Sequence, residues 1–202
     1  MELITIRREV DADNSCLFSS IAYTIDRENY GADSGLKFRQ IIVDHLLSNK
    51  SQHCTDLLEL PKDQYIEYII DPRNWGGAME VKMFSDIFKK QIHCIDVKTN
   101  RVDSYGNENE MCIYLLYNGV HYDPMVMNFD IDSDMMTDIT IFSSYDNEVY
   151  ELMKLHVMET KNRGEYVDFS NIMCEQCKMK FANQNDAAEH MISTSHSNFI
   201  QI

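Results

Sequence analysis

The hydrophobic period of this chain switches near residue 90, and that switch narrows what it can fold into. Before it, apolar residues recur every third or fourth position. Leu17, Phe18, Ile21, Ala22 and Ile25 share one helical face. A second helix is predicted over about 35–48, with Leu36, Ile41, Val43, Leu46 and Leu47 on or near its buried side. Further helical segments are predicted near 55–60 and 62–70, and from the turn Asn74-Trp75-Gly76-Gly77 through Phe88. A short strand at 4–10 precedes them all. Beyond residue 90 the pattern is that of strands: 91–97, 101–105, 112–118 and 139–142 are rich in Ile, Val, Tyr and Cys. The acidic, Met-rich stretch 130–138 reads as a surface loop, and a long helix at about 144–164 follows. Helices followed by mostly antiparallel strands predict an α+β (mixed α/β) class, a central sheet flanked by helices. At 202 residues there is room for one main domain and a small appendage. The predicted division is 1–143 for the main domain, 144–170 for a linking helix and 171–202 for the appendage.

Asp13-Asn14-Ser15 lead directly into the first apolar helix, and all three are good N-cap residues. Cys16 therefore falls in the first turn, beside free backbone N–H groups and the positive end of the helix dipole. A thiolate is stabilised in such a place, and the same N–H groups can donate to an oxyanion forming next to the sulfur. From this stretch alone, a buried structural cysteine that happens to begin a helix is an equal reading.

A nucleophilic cysteine needs a histidine, and the histidine needs a group to orient it. Among the 7 histidines, His121 stands apart. Asn118-Gly119 between two apolar runs is a strong hairpin signal, so the chain is expected to return as Val120-His121-Tyr122-Asp123. Alternation on a strand places His121 and Asp123 on one face, where the carboxylate can hold the imidazole N–H. Pro124 is expected to end the ladder. The alternative is a half-buried strand histidine bonded to a carbonyl. His45, His53, His93 and His156 lack such company and read as surface or satisfied core residues. Cys54, Cys94 and Cys112 read as packing residues.

Cys174 and Cys177, then His190 and His196, follow the spacing C-x2-C-x12-H-x5-H of a ββα zinc finger. Phe181 and Ala187 stand at its core positions. A thiolate pair on a hairpin and two imidazoles on one helix would close a tetrahedral site, and so short a module has too little core to fold without metal.

Charge and composition remove other classes. Lys and Arg number 18 against 33 Asp and Glu, and the resulting −15 repels a phosphate backbone. The finger's Asp186 and Glu189 stand where DNA-reading helices carry Arg or Lys, so no nucleic-acid partner is expected. The N-terminus has no signal-peptide core, and no stretch approaches the roughly 20 apolar residues that cross a bilayer. The 6 cysteines are spread over the chain, two of them in a metal-type pair, and do not resemble a disulfide framework. A reducing setting, cytoplasmic and also nuclear, is expected.

Asp13-Asn14-Ser15-Cys16-Leu17-Phe18, Trp75-Gly76-Gly77-Ala78-Met79-Glu80 and Gly119-Val120-His121-Tyr122-Asp123-Pro124 together resemble the ovarian tumour (OTU) family of cysteine deubiquitinases. With the finger behind them, they are similar to the branch of that family that carries a C-terminal zinc finger. The resemblance covers essentially the whole chain. It implies an OTU-type cysteine-protease fold that hydrolyses isopeptide bonds in polyubiquitin or ubiquitinated proteins, in protein quality control and ER-associated degradation. Position by position it implies Cys16 as nucleophile, His121 as general base and acid, and Asp123 as the third member of the triad. It gives Asp13 a supporting role near the oxyanion hole and Val120 a contact with the ubiquitin tail. A narrow slot between the cysteine loop and Trp75 would admit only glycines; ordinary core anchoring is the other role open to Trp75. Many members have glycine after the first aspartate, where this chain has Asn14. Zinc is the implied structural metal, with no cofactor for catalysis. The implied partners are ubiquitin and polyubiquitin, whose basic tail and face an acidic surface would complement, and the AAA ATPase valosin-containing protein. The branch usually reaches that ATPase through an N-terminal ubiquitin-like domain, and here only residues 1–12 precede Asp13. A non-catalytic ubiquitin-binding adaptor on the same fold is the competing function.

Overall fold

The computed structural model describes residues 2–48, 60–167, 172–181, 184–194, 196 and 199–201. The helix expected at 55–60 falls almost wholly outside these residues, as do His53 and Cys54.

Six strands form one sheet in the order β1-β5-β4-β2-β3, with β6 also paired to β4. They are β1 (Ile4–Arg7), β2 (Gln91–Asp96), β3 (Val102–Tyr105), β4 (Met111–Tyr117), β5 (Tyr122–Asn128) and β6 (Phe142–Ser143). Every pairing is antiparallel except β2 with β4, in keeping with the predicted class. Side chains alternate across β4. Ile113 and Leu115 enter a core with the helices α1 (Cys16–Ile25), α2 (Ser34–Leu47), α3 (Lys62–Ile70) and α4 (Ala78–Phe88). Cys112, Tyr114 and Leu116 enter a second core on the opposite face. There Met153 and Val157 of α5 (Asn147–Asn162) are fully buried, so the helix after the sheet is one of its covering layers. Asp146 starts that helix by accepting from the N–H groups of Glu148 and Val149.

Several expectations need correcting. On α2, Leu36 and Leu47 are exposed; Phe38, Arg39, Ile42, Val43 and Leu46 make the buried face, which is the cleaner i, i+4, i+8 set. Pro124 does not end β5. Its carbonyl accepts from Arg8 N–H, so its nitrogen points to the β1 side, beyond the last β1 pair at Arg7 and Met125, and the β4 ladder loses nothing. The acidic loop at 130–138 is tied down at one end: Asp138 is buried, accepting from Arg8, Asn128 and the Tyr23 hydroxyl. Cys94 and Cys112 are core residues as expected, and His93 is buried against Tyr114 with Nδ1 on Ser104. His156 bonds Thr5 through Nδ1, whereas His45 Nε2 is buried with no partner among the described residues.

The C-terminal module adds β7 (Ile172–Cys174), β8 (Lys180–Phe181), α6 (Gln184–Thr194) and β9 (Phe199–Gln201). Its sheet has three strands, β8-β7-β9, where two were expected. Its own core is small: Ile172, Cys174, Phe181 and Ala187.

Candidate active site and metal centre

The cysteine loop is held by its own Asp13 and by groups from two other elements. Asp13 Oδ1 accepts from Ser15 N–H at 2.8 Å, and Asp13 O accepts from Cys16 N–H at 3.3 Å. Both donors expected to face an oxyanion are thus turned onto Asp13 in this conformation. Trp75 Nε1 donates to Asn14 Oδ1 at 2.7 Å. Arg39, fully buried on α2, donates to Asn14 O, Asn74 O and Ile69 O at 2.7–2.8 Å and to Ser15 Oγ at 3.2 Å. One guanidinium therefore ties the cysteine loop, the end of α3 and the Trp75 turn together. At the foot of that turn, buried Glu80 accepts from Gly77 N–H at 2.7 Å and from the Tyr65 hydroxyl. Burial raises the Glu80 carboxyl to about 7, against the pull of the Gly77 N–H and the Arg39 charge.

Helix α1 is keyed to β5 by Ser20 Oγ, which donates to Tyr122 O at 2.9 Å. This places the start of α1 opposite the β4–β5 turn. That turn is built by Asn118, whose Oδ1 accepts from the N–H groups of Val120 and His121 at 3.1 and 2.9 Å. His121 is accordingly the last turn residue and not a strand residue, since β5 begins at Tyr122. It still meets Asp123, with Nε2 to Oδ1 at 2.9 Å. The ring also lies within electrostatic reach of the Cys16 sulfur, which favours its charged form. Cysteine, imidazole and carboxylate, 107 positions apart at the extremes by number, thus converge on one place.

Electrostatics favour a charged histidine there. Burial depresses the His121 pKa, but the hydrogen bond to Asp123 and the influence of the Cys16 sulfur outweigh it and raise the value to about 10. Asp123 is fully buried. Burial pushes its carboxyl up, and the bond and charge of His121, the Val10 N–H and the charge of Arg7 hold it below the ordinary carboxylate value. Val10 N–H donates to Asp123 Oδ1 at 3.0 Å, and Arg7 Nε donates to Oδ2 at 2.7 Å. Arg7 is held in turn by Glu165 at 3.2 Å. Sequence reasoning missed Arg7 and Arg39. A lone arginine on a strand or a helix carries no motif, and their partners lie on distant segments.

A cleft of about 410 Å³ opens on Cys16 and is bordered by Asn14, Trp75, Gly76, Gly77 and Val120. It is lined also by Asp96, Arg101 and Asp103. Gly76 has no room for a side chain, because a Cβ there would lie 2.7 Å from the Phe18 ring. Trp75 thus both anchors the loop and lines the cleft.

In the C-terminal module, the ligand atoms of Cys174, Cys177, His190 and His196 all lie within 4.8 Å of one another. Cys174 Sγ is 3.6 Å from His196 Nδ1, and Cys177 Sγ is 3.4 Å from His190 Nε2. A tetrahedral ion with bonds of about 2.3 Å to sulfur and 2.0–2.1 Å to nitrogen separates such atoms by about 3.5 Å, so the set fits zinc. Only His190 lies on α6. His196 follows the helix end at Thr194, and its N–H donates to Thr194 Oγ1, because an x5 spacing cannot keep both imidazoles on one helical face.

Comparison with known proteins agrees with this geometry. The sequence profile of the OTU-like cysteine protease family matches residues 11–128. Ubiquitin thioesterase OTU1 of Xenopus laevis is 32% identical over 202 residues, covering 98% of this chain and 66% of its own length. The ovarian tumor domain-containing deubiquitinating enzyme 2 of Arabidopsis thaliana is 31% identical and covers 98% of both chains. A solved structure of an ovarian tumor (OTU) domain in complex with ubiquitin is 26% identical and covers 82% of this chain and 92% of its own, with a TM-score of 0.69. This chain belongs to the OTU-like cysteine protease family.

Proposed function

We propose that this chain is a thiol-dependent deubiquitinase that cleaves the isopeptide bond between the C-terminal glycine of ubiquitin and a lysine of ubiquitin or another protein. The observation that carries this reading is the convergence of Cys16, His121 and Asp123, with the sulfur opening on a cleft. The Cys16 thiolate attacks the glycine carbonyl. The tetrahedral oxyanion collapses and expels the lysine amine, which takes its proton from His121. A water that gives a proton to the same imidazole then attacks the thioester and expels the Cys16 thiolate. The carboxylic acid formed gives its proton to the released amine, leaving ubiquitin's carboxylate and the restored thiolate–imidazolium pair. For the oxyanion to be met by loop N–H groups, Ser15 or Cys16 must release Asp13, so Asp13 acts as a latch on the loop. One such donor is worth about 3 kcal/mol of barrier.

Val120, Trp75 and Gly76 border the path of the ubiquitin tail, whose terminal glycines need little room. The names of the relatives and the ubiquitin bound in the solved neighbour support this substrate. Zinc at Cys174, Cys177, His190 and His196 is the proposed structural metal; when bound, it fixes four ligands around a module whose apolar core is small. The proposal extends to a cytoplasmic and nuclear setting, to protein quality control and ER-associated degradation, and to the AAA ATPase valosin-containing protein as a partner. It divides the chain near 170, with the helix expected to link the two parts packed instead as a layer of the main domain. Among the described residues, no helix is long and apolar enough to cross a membrane.

Incubation of the reduced protein with di-ubiquitins of each linkage tests the reading. Release of mono-ubiquitin from at least one linkage, lost in Cys16→Ser, is expected. Binding to every linkage without cleavage would make the chain an adaptor.

A further inference from the structure

The catalytic centre opens on two sides, and each side reaches a different member of the Cys16–His121 pair. The cleft of about 410 Å³ touches Cys16 and not His121. A second cavity, of about 200 Å³, touches His121 and Asp13 and not Cys16. Asn14, Trp75 and Val120 border both, so the two lie side by side. The far wall of the second cavity belongs to the C-terminal module: Ile172, Phe199 and Ile200.

That module is fixed in this position by several contacts. Val120 and Val167 pack on its core. The rings of Trp75 and Phe199 meet edge-to-face at 6.4 Å between centroids. Val167, just ahead of the module, donates its N–H to Asn118 O at 2.7 Å. Gly119 has φ +111°, and a Cβ there would come within 2.6 Å of the Val167 carbonyl oxygen. The histidine turn and the approach to the module are therefore packed backbone to backbone.

Proton transfer assigns the two sides. The acyl group must lie by the sulfur that attacks it. The departing amine must lie by the imidazole that protonates it, within hydrogen-bond reach. The His121 cavity is thus the leaving-group side. We propose that the metal-binding module is the leaving-group wall of this active site, with Phe199 and Ile200 contacting apolar side chains next to the lysine being released. This inference rests on the isopeptidase reading above. The occupant it names is the lysine-bearing chain, because only that chain leaves by way of His121.

The test compares two reactions of the full chain. One is cleavage of a di-ubiquitin that the wild type cuts. The other is labelling by ubiquitin with a C-terminal propargylamide, which places no protein on the leaving side. Ile200 is 37% exposed, so its replacement spares the module's core. In Ile200→Glu the ratio of cleavage to labelling is expected to fall about tenfold, the effect of losing one apolar contact in a transition state. Ile200→Ala is expected to lower the ratio by a smaller factor. An unchanged ratio in both variants, or equal losses in both reactions, would overturn the inference. So would a gain in either rate, since the wall would then be a plug. A wild-type chain that performs neither reaction would instead overturn the isopeptidase reading itself.

Discussion

His121 is pulled in opposite directions: burial disfavours its charge, and Asp123 and the Cys16 sulfur favour it. The second influence prevails, lifting its pKa from 6.5 to about 10. Since the folded value lies above the unfolded one, the stabilisation is complete below about pH 6.5 and is lost as the pH climbs through 10. Replacing Asp123 by Asn removes the group that raises the pKa and orients the ring. We expect kcat/KM to fall by about 10²- to 10⁴-fold and the alkaline limb of its pH profile to move to lower pH. A stopped assay across pH 6–11 with wild type and variant reads both. Arg39 sets the loop that carries the nucleophile. Arg39→Leu strands three backbone carbonyls and is expected to cost about 3 kcal/mol, measured as a lower denaturant midpoint. At this scale the sequence was informative where chemistry and local geometry coincide. Cys16 follows a run of cap-type residues that locates the start of α1, and His121 and Asp123 share one short stretch. Asp13, Asn14 and Ser15 nevertheless direct their side chains to Ser15 N–H, Trp75 and Arg39 instead of capping that helix. Arg7 meets Asp123 across 116 positions, and nothing near Arg7 announces it.

Turns matter more than helices and strands in placing the site. The Asn118–Gly119 signal correctly located the reversal that presents His121, because Asn118 supplies the side-chain acceptor and Gly119 the positive φ. It did not reveal that His121 stays in the turn, or that Pro124 sits harmlessly within β5. Both depend on which neighbour each backbone group faces, and a single strand's pattern carries no such information. The same limit explains the misplaced face of α2, where Arg39 occupies a buried position that a hydrophobic count assigns to its neighbours. Gly119→Ala tests the turn. A left-handed φ together with a 2.6 Å approach to Val167 O should cost about 2–3 kcal/mol. Gly164→Ala is the control, also left-handed at φ +75° but meeting nothing within 4 Å, and should cost about 1 kcal/mol. Thermal unfolding of the two variants side by side measures the difference.

For the whole molecule, the α+β class and the two-part order were legible from the change in hydrophobic period and the Cys/His spacing. The packing of the small module against the histidine turn was not, because it depends on Val120, Val167 and Phe199 meeting in space. Stripping the metal with a chelator should unfold the chain beyond about residue 171 while the main sheet and its helices stay folded. Far-UV circular dichroism should then show a partial loss, reversed by added zinc; collapse of the whole signal would contradict this. The central claim is that the Cys16 sulfur, paired with His121, attacks the C-terminal carbonyl carbon of ubiquitin. Its most direct test is intact mass spectrometry after mixing the reduced protein with ubiquitin carrying a C-terminal electrophile. The account predicts a single added ubiquitin, mapped by peptide analysis to Cys16 and absent in Cys16→Ser; no adduct, or an adduct on another cysteine that survives this substitution, would contradict it.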